Sequence, residues 1–204
     1  MGISVVVLAA GRSSRMGRCN KLLLRDTFGR SMIGHVVVAA LQSKADDIVL
    51  VTGHQRQAIE QAARDAAGPG SRLRVIHCPR YEDGLSASLK SGIQAVEGAS
   101  AALICLGDMP LVTSTILDSV MGAYDLARTE RIVVPTCRGT RGNPVFWDKS
   151  YFALLQRLSG DQGARALLAD HPAETVEVEV GDEAILRDFD TLDTIGADWF
   201  DPSD

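Results

Sequence analysis

The stretch from Val5 to Leu24 (VVVLAAGRSSRMGRCNKLLL) constrains the fold most, because a strand-like apolar run changes there into a basic loop. The segment Ile3 to Leu8 is nearly all apolar and largely β-branched, as expected for a strand covered on both faces. The small residues 9–11 that follow would let a ligand touch the backbone. Gly11 and Gly17 allow backbone conformations that expose N–H groups to an anion. Positive charge for the anion would come from Arg12, Arg15 and Lys21. The stretch predicts an anion-binding loop after the first strand, with a solvated basic turn as the alternative.

Two common phosphate-binding motifs do not fit this loop. The P-loop requires adjacent glycine, lysine and serine or threonine, whereas three residues separate Gly17 from Lys21. The dinucleotide fingerprint requires three glycines in the pattern G-x-G-x-x-G, and only Gly11 and Gly17 occur here. An NAD-type site therefore has no support at its most diagnostic position.

Length and composition predict one α/β domain spanning residues 1–204. The chain is 46% hydrophobic and 23% charged, and a chain of this size buries roughly 70% of its unfolded surface, so it needs no disulfide or structural metal. The net charge of −5 argues against nucleic acid or an anionic membrane as the main partner. Small anionic ligands are still compatible with local positive charge.

Cysteine spacing and apolar run lengths give three further expectations. Cys19, Cys78, Cys105 and Cys137 form no C-x-x-C motif, so neither a zinc site nor a redox pair is predicted. No apolar run approaches the length of a membrane span, and the chain begins with a strand rather than a charged leader. The sequence therefore favours reduced thiols, no membrane association and a cytoplasmic location.

Strand and helix patterns alternate along the chain, as they do in α/β folds. Strands are predicted at 3–8, 47–53, 73–78, 101–106, 131–135 and 175–180. Helices are predicted at 31–42, 54–67, from residue 85 onward, at 113–128 and at 164–170. Because the carboxyl ends of parallel strands line one crevice, the loops after these strands are the candidate ligand loops.

Asp108 follows the fourth predicted strand directly, in the sequence Gly107-Asp108-Met109-Pro110. It should face the same crevice as Gly11 and Lys21, because all three follow strands of one parallel sheet. Carboxylate oxygens suit Mg²⁺, which commonly bridges one or two acidic groups to phosphate. From the residues alone, a metal ligand and an ordinary turn are both open at this position.

Three further segments are rich in polar residues at predicted loops or helix starts. The segment Gly84 to Ile93 (GLSASLKSGI) predicts an anion-tolerant helix start, with an ordinary serine-capped helix as the alternative. The segment 141–147 (RGNPVFW) predicts either a contact to a phosphorylated acceptor or a solvated turn. The segment 160–165 (GDQGAR) predicts an anion site at a helix start, unless Asp161 only caps that helix.

These segments resemble the motifs of the MobA-like nucleotidyltransferases, in order and over nearly the whole chain. Leu8 to Lys21 resembles the signature LAxGxSxRMG followed by a lysine, and Gly107 to Pro110 resembles GDMP. The segments starting at Gly84, Arg141 and Gly160, and the ending D-x-D-T-x-x-D from Asp188, also have counterparts in the family. The resemblance implies a three-layer α/β/α fold of the GT-A type, with a mostly parallel mixed sheet, that binds an NTP and Mg²⁺.

The resemblance also assigns roles to individual residues. Catalysis would rest on Arg15, Lys21 and Asp108. The nucleotide site would comprise Leu8, Ala9, Ala10, Gly11, Arg15, Lys21, Asp83, Gly84, Ser86 and Ser88. The acceptor site would comprise Arg141, Asn143, Asp161, Gly163 and Arg165. The metal would be held by Asp108 and Asp190, with Asp188 and Asp193 as competitors for the second position.

The Ala9-Ala10-Gly11 form resembles the cytidylyltransferase branch of the family, whereas the guanylyltransferase branch typically has Gly-Gly. The resemblance therefore implies CTP and the phosphate of a molybdopterin-type acceptor as substrates, with a molybdoenzyme or its chaperone as a possible partner. GTP or another phosphorylated acceptor is the alternative within the class. An NAD(P)-dependent oxidoreductase and a non-catalytic nucleotide-binding module are the alternatives outside it.

Overall fold

The computed structural model describes residues 2–12, 20–124 and 131–189. The described strands, numbered in chain order, are β1 Ile3–Ala9, β2 Asp47–Thr52, β3 Leu73–His77, β4 Ala101–Leu106, β5 Ile132–Cys137, β6 Thr140–Arg141, β7 Val145–Asp148 and β8 Thr175–Glu179. The described α-helices are α1 Met32–Gln42, α2 Arg56–Ala67, α3 Leu85–Ala95, α4 Ser114–Gly122 and α5 Phe152–Leu155. Short 3₁₀ helices lie at Lys21–Leu23, Tyr81–Asp83, Lys149–Tyr151, Ala164–Ala169 and Glu183–Leu186.

Within these residues the strands form one mixed sheet. The strand order is β3-β2-β1-β4-β7-β5-β6, and β8 also pairs with β5. β1 is parallel to β2 and β4, and β2 is parallel to β3. β7 runs antiparallel to both β4 and β5, whereas β8 is parallel to β5. The predicted α/β fold with a mostly parallel mixed sheet is therefore confirmed.

Alternate residues of the central strand β1 pack against helices on opposite faces of the sheet. Val5 and Val7 join a cluster with apolar residues of α1, α2 and α4. Val6 and Leu8 join a second cluster with apolar residues of α3 and α5. Burying one valine side chain fully contributes about 1.5–3 kcal/mol. Both faces are thus covered, which gives three layers and explains the unbroken apolar run of β1.

Most predicted helix and strand positions agree with the structure. Ser31 caps α1, as its sequence predicts, by accepting a hydrogen bond from the Gly34 N–H at 3.1 Å. The second helix begins two residues later than predicted, because Gln55 has a left-handed backbone with φ of 50°. The fourth helix ends at Gly122 with Ala123 as its C-cap, earlier than the predicted end at residue 128; residues 125–128 of the predicted span lie outside the described residues.

The described part of the chain contains no helix whose length and apolar character would let it span a bilayer. Cys78, Cys105 and Cys137 are buried free thiols. Burial raises the pKa of the Cys105 thiol to about 12, so this side chain stays protonated and packs as a small apolar group.

Candidate nucleotide and metal site

A cavity of about 500 Å³ lies at the carboxyl ends of β1 and β4 and beside the start of α3. Of the residues predicted for the nucleotide site, it is lined by Leu8, Ala9, Ala10, Gly11, Lys21, Gly84 and Ser88. Asp108, the predicted metal ligand, lines the same cavity. The parallel pairing of β1 with β4 places these loops side by side, since Leu8 lies opposite Leu106 and the Gly107 N–H donates to the Leu8 carbonyl at 2.9 Å.

Lys21 and Asp108 form an ion pair in this cavity. The Lys21 Nζ donates to the Asp108 Oδ2 at 2.6 Å, and the two side chains are only 12% and 19% exposed. Lys21 begins a 3₁₀ turn that the Asn20 side chain caps by accepting from the Leu22 N–H. The structure therefore brings together a cation from the first loop and a carboxylate from the loop after β4, 87 residues apart in the sequence.

Arg15 and Asp190, predicted as a catalytic residue and as the second metal ligand, lie outside the described residues. Among the residues that are described, no group of three or more His, Cys, Asp or Glu side chains could hold a metal ion. The last described residue, Phe189, donates its N–H to the Asp108 carbonyl at 3.1 Å, so the chain just before Asp190 reaches the candidate metal ligand. A single carboxylate beside a phosphate site fits Mg²⁺, which takes few protein ligands and completes its shell with phosphate and water.

Tyr81 and Glu82 also line the cavity, and the sequence analysis did not assign them. Tyr81 lies directly over Gly53, where an added Cβ would come within 2.6 Å of the tyrosine ring and 2.7 Å of the Ala10 carbonyl oxygen. Glu82 pairs with Arg12 at 3.5 Å on the exposed side of the cavity. The sequence signal that could have indicated both residues is the position of their loop, 79–84, which follows β3 at the same edge of the sheet.

Two residues predicted for the nucleotide site lie elsewhere. Ser86 and Asp83 line a second cavity of about 510 Å³, and Asp83 pairs there with Arg80 at 2.6 Å. Ser88 lines the first cavity and Ser86 does not, because helical residues two positions apart point to opposite faces. The resemblance in this segment thus covers residues on two sides of one helix.

The residues predicted for the acceptor site divide into two groups. Arg141 pairs with Glu177 at 2.7 Å, and Arg165 donates to the Arg141 carbonyl at 2.9 Å. The Asn143 N–H donates to the Ile185 carbonyl at 2.9 Å, so its backbone is fixed beside this pair of arginines.

Asp161 lines the first cavity together with the nucleotide residues. Its neighbour Gly163 approaches Leu85, with 3.0 Å between an added Cβ and the leucine Cδ2.

The cavity combines a lysine from the loop after β1 with a candidate metal-binding aspartate from the loop after β4. This arrangement, at one edge of a mostly parallel sheet, indicates a nucleotide-binding transferase. Residues 5–176 match the profile of the MobA-like NTP transferase domain. The chain belongs to the MobA-like NTP transferase family and is a nucleotidyltransferase.

Two full-length relatives are equally similar to this chain. Molybdenum cofactor cytidylyltransferase of Escherichia coli is 30% identical over 193 residues, which cover 94% of this chain and 92% of that protein. Purine catabolism protein PucB of Bacillus subtilis is 30% identical over 191 residues, covering 91% and 90%. Bifunctional protein GlmU of Sorangium cellulosum is 33% identical over 136 residues, but the match spans only 28% of GlmU.

Solved structures show the same fold. A nucleotidyl transferase from Methanothermobacter thermautotroptrophicus superposes with a TM-score of 0.80 at 25% identity, over 95% of this chain and 94% of that one. Rv0371c from Mycobacterium tuberculosis superposes with a TM-score of 0.79 at 30% identity, over 95% and 94%. A second structure of Rv0371c is a complex with manganese, with a TM-score of 0.70 at 26% identity over 88% and 89%.

Proposed function

We propose that this protein transfers CMP from CTP to the phosphate of a molybdopterin-type acceptor, with Mg²⁺ bound and pyrophosphate released. The observation that carries the proposal is the Lys21–Asp108 pair in the cavity beside the loop that follows β1. The choice of CTP is supported by the Ala9-Ala10-Gly11 form of the loop and by the similarity to the Escherichia coli cytidylyltransferase. We further propose that residues 1–204 act as one catalytic domain.

The reaction needs no covalent enzyme intermediate. An oxygen of the acceptor phosphate bonds to the α-phosphorus of CTP, and the bond from that phosphorus to the bridging oxygen of pyrophosphate breaks. The bonding electrons leave with pyrophosphate. The acceptor phosphate is already anionic near neutral pH, so no general base is required. Catalysis then depends on alignment and on neutralising charge.

In this proposal Lys21 and the backbone N–H groups of the loop after β1 would hold the triphosphate, and Arg15 would supply a further positive charge. Asp108 holds Mg²⁺, together with Asp190. When bound, the metal would neutralise negative charge on the phosphates. Lys21 and Asp108 compensate each other's charge, so the largely buried pair carries no net charge. Binding of a metal nucleotide would give each side chain a new partner of opposite charge, so neither would be left uncompensated.

The acceptor is proposed to bind beside Arg141, Asn143, Gly163 and Arg165. The Arg165 guanidinium lies beside the backbone of Arg141, because it donates to the Arg141 carbonyl. Their guanidinium groups suit phosphate geometrically and electrostatically. Arg141 is paired with Glu177, so an acceptor phosphate would compete with that carboxylate.

The test is to incubate the purified protein and Mg²⁺ with each of CTP, GTP, ATP and UTP, with and without bare molybdopterin, and to identify products by mass. The expected product is the cytosine dinucleotide form of the acceptor, together with one pyrophosphate per turnover. The decisive negative control omits the acceptor. An unchanged nucleotide pool in every reaction would refute the proposed substrates.

The equal similarity to PucB makes another nucleotide or acceptor the main competitor. A product formed only with GTP would keep the transferase assignment and refute the choice of CTP. Pyrophosphate release that does not depend on molybdopterin would instead refute the choice of acceptor.

A further inference from the structure

Three carboxylates line the nucleotide cavity, and their partners differ. Asp108 is paired with Lys21 at 2.6 Å, and Glu82 is paired with Arg12 at 3.5 Å. Asp161 forms no ion pair within residues 2–12, 20–124 and 131–189. An uncompensated carboxylate in a cleft that must accept a triphosphate opposes phosphate binding, so its presence calls for a different use.

The position of Asp161 is fixed by close backbone contacts. The Ser86 N–H donates to the Gly160 carbonyl at 3.1 Å, which joins the loop to the first turn of α3. Gly84 has φ of 101°, and an added Cβ there would lie 2.5 Å from the Gly160 carbonyl and 2.7 Å from the Asp161 Oδ1. Only glycine at position 84 allows this approach without strain.

Asp161 has no structural task that explains it. The sequence left open that Asp161 caps the following helix, Ala164–Ala169, but the N-cap residue of that helix is Gly163 and no side chain caps it. The carboxylate is solvent-exposed and faces the cavity rather than the core. Its oxygens are therefore available to a ligand.

The surroundings of Asp161 suit a nucleobase better than a phosphate. Leu85 lines the same cavity and is one of the described large apolar residues that stay exposed, at 37%. Tyr81 lines it as well, which adds an aromatic ring. Apolar and aromatic side chains cover the faces of a flat base, and an ionised carboxylate accepts hydrogen bonds from amino groups on its edge.

We infer that Asp161 is a specificity-determining residue of the nucleotide site, which accepts a hydrogen bond from the exocyclic amino group of the base. An aspartate pairs well with the cytosine N4 amino group, whereas uracil would present a carbonyl oxygen to it. The site therefore selects amino-bearing bases and rejects uracil. This inference rests on the proposed function and moves Asp161 from the acceptor site to the nucleotide site.

The test is calorimetric titration of the full chain with CTP and with UTP, each with Mg²⁺ and without acceptor. The variants are Asp161→Asn and the matched control Asp170→Asn, which removes the same charge at an exposed position outside the cavity. The wild type should bind CTP more tightly than UTP. Asp161→Asn should weaken CTP binding about tenfold and should not weaken UTP binding, because the asparagine amide can donate to the uracil carbonyl oxygen. Asp170→Asn should match the wild type for both nucleotides.

Other outcomes separate the two claims. Equal weakening of CTP and UTP by Asp161→Asn would overturn base recognition, as would a wild type that prefers UTP. Unchanged binding of both nucleotides with a raised KM for the acceptor would return Asp161 to the acceptor site. If the wild type prefers ATP or GTP to CTP, the proposed substrate fails, and the same comparison of that nucleotide with UTP still tests Asp161. A wild type that binds no nucleoside triphosphate refutes the proposed function and the inference together.

Discussion

The molecule carries cation–carboxylate pairs in two different environments. At the cleft, Lys21 and Asp108 meet at 2.6 Å with side chains that are 12% and 19% exposed. In the turn between β5 and β6, Arg138 meets Glu183 at 2.9 Å, and these side chains are 83% and 59% exposed. The two distances are similar, so distance alone does not distinguish a functional pair from a surface pair.

Burial makes the difference between these two pairs. Water and salt screen exposed charges, and exposed ion pairs contribute at most about 1 kcal/mol. In a partly buried cleft, paired charges interact more strongly with each other and with any ligand that replaces one partner. The Arg138–Glu183 pair therefore belongs to a solvated surface, whereas the Lys21–Asp108 pair can respond to the proposed metal nucleotide.

The largest effect should follow Asp108→Asn, which keeps the shape of the side chain and removes its charge. We expect kcat to fall about 10²- to 10³-fold, because the proposed metal ligand is lost. The measurement is the initial rate of pyrophosphate release over a range of Mg²⁺ concentrations. The matched control in the exposed pair, Glu183→Gln, should keep kcat within about fivefold of the wild type. A variant of Asp108 that keeps wild-type rates would remove the distinction between the two pairs.

Lys21→Gln should have the next largest effect. The proposed triphosphate contact is lost, so kcat/KM for the nucleotide should fall about 100-fold. Steady-state rates at varied nucleotide and fixed, saturating acceptor measure this change, with Arg138→Gln as the control. An effect confined to the KM of the acceptor would contradict the proposed contact between Lys21 and the triphosphate.

A third pair, Asp26 with His35, lies between the two extremes and sharpens the comparison through pH. The Asp26 Oδ2 lies 2.8 Å from the His35 Nε2, and the Phe28 and Arg30 N–H groups donate to the same carboxylate. Burial raises the pKa of Asp26, but the hydrogen bonds from Arg30, His35 and Phe28 outweigh it and hold the pKa below its ordinary value of 3.8. His35 is therefore a structural partner of Asp26.

Because the folded-state pKa of Asp26 is depressed, its stabilisation is present above the unfolded pKa and is lost as the pH falls through the folded pKa. Asp26→Asn should lower the free energy of unfolding near neutral pH by about 1–3 kcal/mol. Urea titrations between about pH 7 and pH 3 should show the two proteins converging at the acidic end. A difference that stays constant over this range would contradict a charge-dependent role.

The smallest effect should follow Arg141→Gln. Arg141 and Glu177 are 37% and 46% exposed, so the free energy of unfolding should change by less than about 1 kcal/mol. If Arg141 contacts the acceptor as proposed, the KM for the acceptor should rise while the KM for the nucleotide stays constant. Chemical denaturation and steady-state kinetics measure the two quantities separately. A change in the nucleotide KM would place Arg141 in the wrong site.

Much of the cleft could be predicted from the sequence, because its parts are local. Each ligand loop follows a strand directly, and parallel strands end at one edge, so Lys21 and Asp108 had to lie near each other once both strands were recognised. Strand β1 was equally readable, since an unbroken β-branched run is typical of a strand buried on both faces. Helix α1 was readable from its cap residue Ser31 and its apolar spacing.

The parts that could not be predicted depend on contacts between distant segments. Ser86 and Ser88 both belong to a recognisable motif, but only the packed position of α3 shows that Ser88 alone of the two faces the first cavity. Tyr81 reaches the cavity because Gly53, which directly follows β2, leaves room for its ring. No pattern within the loop at 79–84 specifies that neighbour.

The sequence by itself determined the α/β class, the order of the ligand loops and the family, because these follow from local periodicity and from short motifs. Only the tertiary structure decided that Asp161 joins the nucleotide cavity and that Arg141 meets Glu177. Those outcomes depend on the close approach of Gly84 to Gly160 and on the parallel pairing of β5 with β8. Such contacts are set by packing across the whole sheet, which local sequence does not encode.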